Sequence, residues 1–258
     1  MKPEEPTPYR IINSGGSSTV LLVCDHASNR IPTRLGDLGL SEQQRSRHIA
    51  WDIGAARVTE IVSELLDAQA ILSSYSRLVI DLNRSLQDAT AIPALTDGVL
   101  VPGNLSLPPE LCEQRAAAFY WPYHNAVSAL LEASLRRGRM PALVSIHSFT
   151  PVMHGLDRPW DMGFLWDKDP RLAVPLIRQL RNHSDLRVGD NEPYSGRYPA
   201  DFTVDYHGER SDLPHVGVEI RQDHIGDELG QQRMARALAG ALEAVLADLG
   251  AAVGGSAR

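Results

Sequence analysis

Short apolar runs alternate along the chain with longer stretches of helical spacing, and the apolar runs hand over to polar residues at their carboxyl ends. Residues 19–24 (TVLLVC), 143–146 (LVSI, within LVSIHSFTP) and 215–220 (HVGVEI) are aliphatic and β-branched over strand-like lengths, which predicts buried strands. Shorter apolar segments stand at 70–72 and 78–80, the latter read as a strand running into Asp81-Leu82-Asn83-Arg84, and residues 158–166 (RPWDMGFLW) predict a further strand. Helical spacing fills the gaps. Ser41 and Gln44 form a capping-box pattern ahead of Ile49, Ile53, Ala56, Ile61, Leu65 and Leu66, predicting a helix through residue 68 that Gly54 weakens. Residues 108–137 read as helical, with Pro109 suited to the first turn and Pro122 forcing a kink or a break. Residues 169–181, capped by Asp169, and the amphipathic residues 228–249 complete the set.

This alternation predicts an α/β fold: a single three-layer domain over residues 1–258, with a mixed central sheet flanked by helices. The Pro-rich lead-in 1–18 and the tail 250–258 read as flexible ends. Residues 85–107 read as a long loop punctuated by Gly and Pro, and loops of that length in folded domains often cover a pocket.

Composition narrows the partners more than the fold. With 43% hydrophobic and 22% charged residues the chain is ordinary globular protein, and its net charge of −7 argues against a nucleic acid or an anionic membrane. A small-molecule substrate is expected instead. The first ten residues lack the apolar core of a signal peptide and no stretch approaches a membrane span, so the expected location is the cytoplasm. Cys24 and Cys112 lack CxxC spacing and imply no disulfide framework.

The polar ends of the strands carry the candidate chemistry, because ligands of open α/β sheets collect at the carboxyl ends of strands. His26 follows the first strand, Asn83 and Arg84 the segment at 78–80, His147 the strand at 143–146, and Glu219 lies inside the last. A carboxylate within a Val/Ile strand is costly unless it is paired or working. Two neutral imidazoles can hold Zn²⁺, a carboxylate can take a proton from water, and an arginine fork fits the carboxylate of a small acidic substrate. His48 and Asp52, four residues apart, would share a helix face as metal ligands or as a supporting pair. Arg77 and Arg221 are further candidate anchors for substrate carboxylates. The turn-rich loops holding Tyr194 and His207 add candidate substrate contacts. No HExxH, GxSxG or Walker A pattern is present.

In order from residue 21 to residue 223, LLVCDHASNRIP, HIAWDIGA, SRLVIDLNR, VSIHSFTP, DNEPYSG and VGVEIRQD resemble segments of the N-formylglutamate amidohydrolase family. More distantly, DLNR resembles the carboxylate-binding motif of the aspartoacylases, and SIHSF and VEIRQD the zinc-histidine and catalytic-glutamate segments of zinc carboxypeptidases. The resemblance implies a zinc-exopeptidase-like fold and hydrolysis of an amide next to a carboxylate. It also implies that His26 and His147 bind zinc or another divalent metal, that Asn83 and Arg84 hold the substrate carboxylate or polarise the carbonyl, with Arg84 or Arg77 stabilising the oxyanion, and that Glu219 is the base. The carboxypeptidase pattern reads His-x-x-Glu, whereas Asn29 stands here at the glutamate position. Either Asp52 supplies the third ligand, or Asn29 does so loosely, or the metal is weakly held. The specific expectation is conversion of N-formyl-L-glutamate to formate and glutamate. The rivals are a deacylase or peptidase for another acidic substrate and a non-catalytic carboxylate-binding protein.

Overall fold

Val20, Leu22 and Cys24 enter one apolar cluster while Leu21 and Val23 enter another, so the first predicted strand is buried on both faces. That is the mark of a central strand covered by two layers of helix. A computed structural model describes residues 5–197 and 201–255. In chain order the elements are β1 (Tyr9–Ile12), β2 (Val20–Cys24), α1 (Glu42–Arg45), α2 (Ala55–Leu66), β3 (Gln69–Ser73), β4 (Leu95–Thr96) and β5 (Val99–Leu100). Then come α3 (Pro109–Arg115), α4 (Trp121–Arg136), β6 (Ala142–Phe149), β7 (Val152–Met153), β8 (Leu156–Asp157) and β9 (Met162–Leu165). The last are α5 (Ala173–His183), β10 (Val188–Asp190), α6 (Phe202–His207), β11 (His215–Arg221) and α7 (Glu228–Gly255).

Seven strands form one mixed sheet in the order β1-β3-β2-β6-β11-β9-β10. The four central strands are parallel, β1 and β9 run antiparallel to their inner neighbours, and β10 follows β9 in parallel. Residues of α2, α5 and α7 pack one face with Val144, Ile146, Val216, Val218 and Ile220. Residues of α4 and of the segment 75–101 cover the other, where Leu143, Leu21 and Val23 point. Each fully buried aliphatic side chain contributes about 1.5–3 kcal/mol of transfer free energy, so the two faces hold the strands firmly under the site. No helix among the described residues is long and apolar enough to cross a membrane.

Several expectations are corrected. The lead-in contains β1, whose ladder satisfies the outer edge of β3. The helix expected through residue 68 breaks in two: the Ser41–Gln44 capping box is present, but Gly54 adopts φ 82° and a Cβ there would meet Ile225 O at 2.4 Å. Residues 78–80 form buried turns rather than a strand. Their carbonyls find side-chain donors instead of a ladder, Asn104 Nδ2 on Leu78 O at 2.8 Å and Arg115 Nη1 on Val79 O at 2.9 Å. The expected loop 85–107 carries the β4–β5 hairpin, and the strand expected over 158–166 shortens to β9. Residues 206–208 end α6 rather than sit in a loop. In the tail expected to be flexible, α7 continues to Gly255, and residues 256–258 lie outside the described residues.

Between α3 and α4 the backbone passes through a π-helical segment, Ala116–Tyr120. It admits Pro122, which has no N–H to donate, into the first turn of α4 without breaking the rod.

Candidate active site

Strand register assembles the site on the α4 side of the sheet. Glu219 pairs with His147 on one side and Gly163 on the other, and one row earlier Gly217 lies between Ser145 and Leu165. Because side chains alternate faces, His147 and Glu219 share a face opposite the apolar Val144, Ile146, Val218 and Ile220. Asp25 and His26 leave β2 beside this row, and the backbone N–H of Asp52 donates to His26 O at 2.9 Å. That bond draws Asp52 to the two histidines.

His26, Asp52 and His147 each present a ligand atom within 4.8 Å of the others. Asp52 Oδ2 lies 2.9 Å from His147 Nδ1 and 3.4 Å from His26 Nδ1. The outward ring nitrogens are held from behind, His26 Nε2 by Asp81 Oδ1 at 2.7 Å and His147 Nε2 by Ser145 Oγ at 2.9 Å. Among the described residues His26 Nδ1 is buried with no hydrogen-bond partner, although it faces the carboxylate. This arrangement fits a divalent cation, because metal-binding imidazoles typically give their second nitrogen to a carboxylate or a similar group. Burial works against charge on His147, yet Asp25 and Asp52 outweigh it and hold its pKa well above normal. For Asp52, too, burial is outweighed, by His26 and His147, and its pKa falls well below the usual range. Such a cluster is made to hold positive charge.

Glu219 stands beside it with Oε2 buried and unpartnered among the described residues. Burial is the main cause lifting its pKa to about 8; His147 opposes the rise, and Asp52 and Asp201 add to it. A carboxylate so placed is poised to exchange a proton near neutral pH.

The site opens into a cleft of about 310 Å³. His26, Asp52, His147, Glu219, Asn83, Arg84, Arg77 and Tyr194 all line it. Three other candidates lie elsewhere. Asn29 donates its amide to Arg45 O at 3.1 Å and is not in the metal-like cluster. His207 is packed behind the site, 3.0 Å from His124 Nδ1. Arg221, although on the same strand face as Glu219, is tied to Asp223 at 2.8 Å and Asp161 at 3.3 Å. In each case a group distant in sequence, Arg45 O, His124 or Asp161, claims the side chain. His48 and Asp52 share no helix face, since both fall in the turns between α1 and α2, and His48 lies 3.4 Å from Asp97. Arg77 reaches the cleft but spends its charge on Asp81 at 2.6 Å and Asp52 at 3.7 Å.

The structure also adds residues that local pattern did not single out. Asp81, first residue of DLNR, grips His26 and Arg77 together and caps the Asn83 N–H. Asp25 accepts the Tyr123 hydroxyl. Asp201 reaches the cleft from the start of α6, its carboxylate 2.9 Å from where a Cβ on Gly217 would stand. Arg158 joins from beyond the β7–β8 hairpin. Asp25 and Asp81 lie inside the family-like motifs, beside His26 and ahead of Asn83 and Arg84; nothing in the local pattern marks Arg158 or Asp201 as a site residue.

An α/β enzyme with a hydrolytic type of site at its strand ends is the class this fold and these groups define. The chain belongs to the N-formylglutamate amidohydrolase family, whose sequence model matches residues 18–226, and is accordingly a hydrolase of amide C–N bonds. Among solved structures it is similar to the gene product Atu2144 from Agrobacterium tumefaciens, with 35% identity and a TM-score of 0.92 over 95% of this chain and 96% of that one. It also shares its fold with N-formylglutamate amidohydrolase from Ralstonia eutropha, at 17% identity and a TM-score of 0.66 over 93% of this chain and 97% of that one. No curated protein matches the chain.

Proposed function

We propose that the enzyme is a metal-dependent amidohydrolase that cleaves an N-acyl acidic amino acid, with N-formyl-L-glutamate as the specific substrate. The observation that carries this reading is the buried, unpartnered Glu219 carboxylate set beside the His26–Asp52–His147 cluster. His26, His147 and Asp52 would hold the ion, with Asp52 taking the place that motif comparison gives to Asn29. When bound, a divalent ion such as Zn²⁺ polarises a carbonyl and acidifies water.

The chain's own residues then divide the work. Glu219 accepts a proton from the attacking water as its oxygen bonds to the formyl carbon, and returns that proton to the departing nitrogen as the C–N bond breaks. One water is consumed, and formate and glutamate leave. Arg84 and the Asn83 amide hold the carboxylate next to the scissile bond. Thr203 N–H donates to the Asn83 Oδ1 at 2.9 Å, which leaves the NH₂ group as the end of this cleft-lining amide that can donate. Seen from the substrate, the walls of the cleft replace bulk water with fixed dipoles.

A panel of N-formyl, N-acetyl and peptide substrates, assayed for amine release with and without added metal, tests the reading. N-formyl-L-glutamate should be turned over fastest, and chelation should stop the reaction. A peptide or N-acetyl substrate preferred over every N-formyl amino acid would overturn the substrate assignment.

A further inference from the structure

Arg158 is a buried cation that the mechanism leaves unused. It is only 8% exposed and lines the same cleft as Glu219 and Arg84. Unlike Arg77 and Arg221, which are neutralised by aspartates, Arg158 makes no ion pair among the described residues. A buried charge without a counter-charge is costly, so its position makes sense if an anion arrives from outside.

The donors say what kind of anion fits. Of the five N–H groups of the guanidinium, Nε donates to Thr150 O at 2.9 Å, one on Nη2 to Thr150 Oγ1 at 2.6 Å and one on Nη1 to the Tyr194 hydroxyl at 2.7 Å. One N–H remains on each terminal nitrogen, a pair whose spacing suits the two oxygens of a carboxylate. The group is held in place by stacking, 5.2 Å from the Phe149 ring centre and 5.1 Å from that of Tyr194. Phe149 ends the strand that carries His147 and Thr150 follows it directly, so the receptor is anchored to the same rigid element as His147.

We propose that Arg158, oriented by Thr150 and Tyr194, receives the distal carboxylate of the substrate side chain and sets the preference for acidic over neutral N-acyl amino acids. This rests on the amidohydrolase reading above, in which Arg84 and Asn83 take the other carboxylate.

The test compares N-formyl-L-glutamate with its neutral isostere N-formyl-L-glutamine on the metal-loaded enzyme. Arg158→Met should lower kcat/KM for the glutamate substrate about 100-fold, mainly through KM, while leaving the glutamine substrate within about threefold. Tyr194→Phe, a change on a side chain 40% exposed, should erode the same preference by about tenfold or less and guards against a folding defect in the first variant. Equal losses on both substrates, or a preference that survives Arg158→Met, would overturn the proposal. A second readout needs no turnover: calorimetric binding of L-glutamate against L-glutamine. If the wild type hydrolysed neither formyl substrate, the proposed function would fail on its own, and the binding ratio would still decide Arg158. A wild-type preference for glutamate lost in Arg158→Met supports the assignment; an absent or retained preference overturns it.

Discussion

Two buried histidine pairs lie on the same side of the sheet and behave in opposite ways. His26 and His147 have ring centres 5.0 Å apart, and His124 and His207 have theirs 5.2 Å apart. All four side chains are almost fully buried. Around the first pair stand Asp25, Asp52 and Asp81, and both pKa values rise despite burial. Among the described residues the second pair has no carboxylate in hydrogen-bond contact, and burial drives His124 to about 4 and His207 to about 3. Its hydrogen bonds form a chain of neutral groups. Ser128 Oγ donates to His207 Nδ1, His207 Nε2 donates to His124 Nδ1, and His124 Nε2 donates to Leu82 O. Burial alone therefore does not fit a histidine pair to hold a cation; the surrounding carboxylates do. The first pair faces the cleft, and the second braces the segment that carries Asn83 and Arg84.

Matched substitutions give the sharpest contrast. His147→Ala should lose bound metal and reduce activity on the order of 10⁴-fold, whereas His207→Ala should keep its metal and lose chiefly stability. Elemental analysis with kinetics checks both, and metal retained in His147→Ala would break the comparison. Glu219→Gln separates binding from chemistry: metal stays, while kcat falls about 10²–10⁴-fold. A near-normal rate would remove Glu219 as the base. Asp52→Asn should weaken metal affinity at least about 10-fold, and Asn29→Ala should leave it unchanged, as read by competition with a chelator. The reverse result would restore Asn29 as the third ligand.

The smallest effect is on stability and comes from the second pair. Because the folded pKa values of His124 and His207 lie below the unfolded value of 6.5, their contribution is present above pH 6.5. It is lost as pH falls towards 4, where the unfolded chain has gained protons that the folded pair refuses. Urea midpoints should fall over that window, and His207→Gln should flatten the fall.

The candidate centre was legible in the sequence where chemistry and local pattern coincide. His26, His147 and Glu219 are each a polar residue at or near the end of an apolar strand, and the structure brings all three to one cleft. The same logic failed for residues 78–80, because an apolar triplet reads as a strand whether its carbonyls are met by a ladder or by Asn104 and Arg115. It failed again for Asn29, His207 and Arg221, whose side chains are claimed by Arg45 O, His124 and Asp161. Asp52 was paired with His48 on a helix face that Gly54 does not allow to form. Arg158 opens a segment whose pattern predicts only a strand, and Asp201 comes from one with no periodic signal; the fold brings both to the site.

The π-helical segment Ala116–Tyr120 has a mechanical consequence for this braced region. Arg115, just before the segment, holds Val79 O, while Tyr120 at its last position and His124 in α4 hold Arg84 O and Leu82 O at 2.9 Å each. An α-helix advances about 100° per residue, so the extra residue sets the angular phase between these grips. Deleting one alanine there would return the rod to α-helical register and rotate one grip away from the other. The helix serves as a two-jawed clamp whose alignment is encoded in one surplus residue, and the posture of Asn83 and Arg84 depends on it.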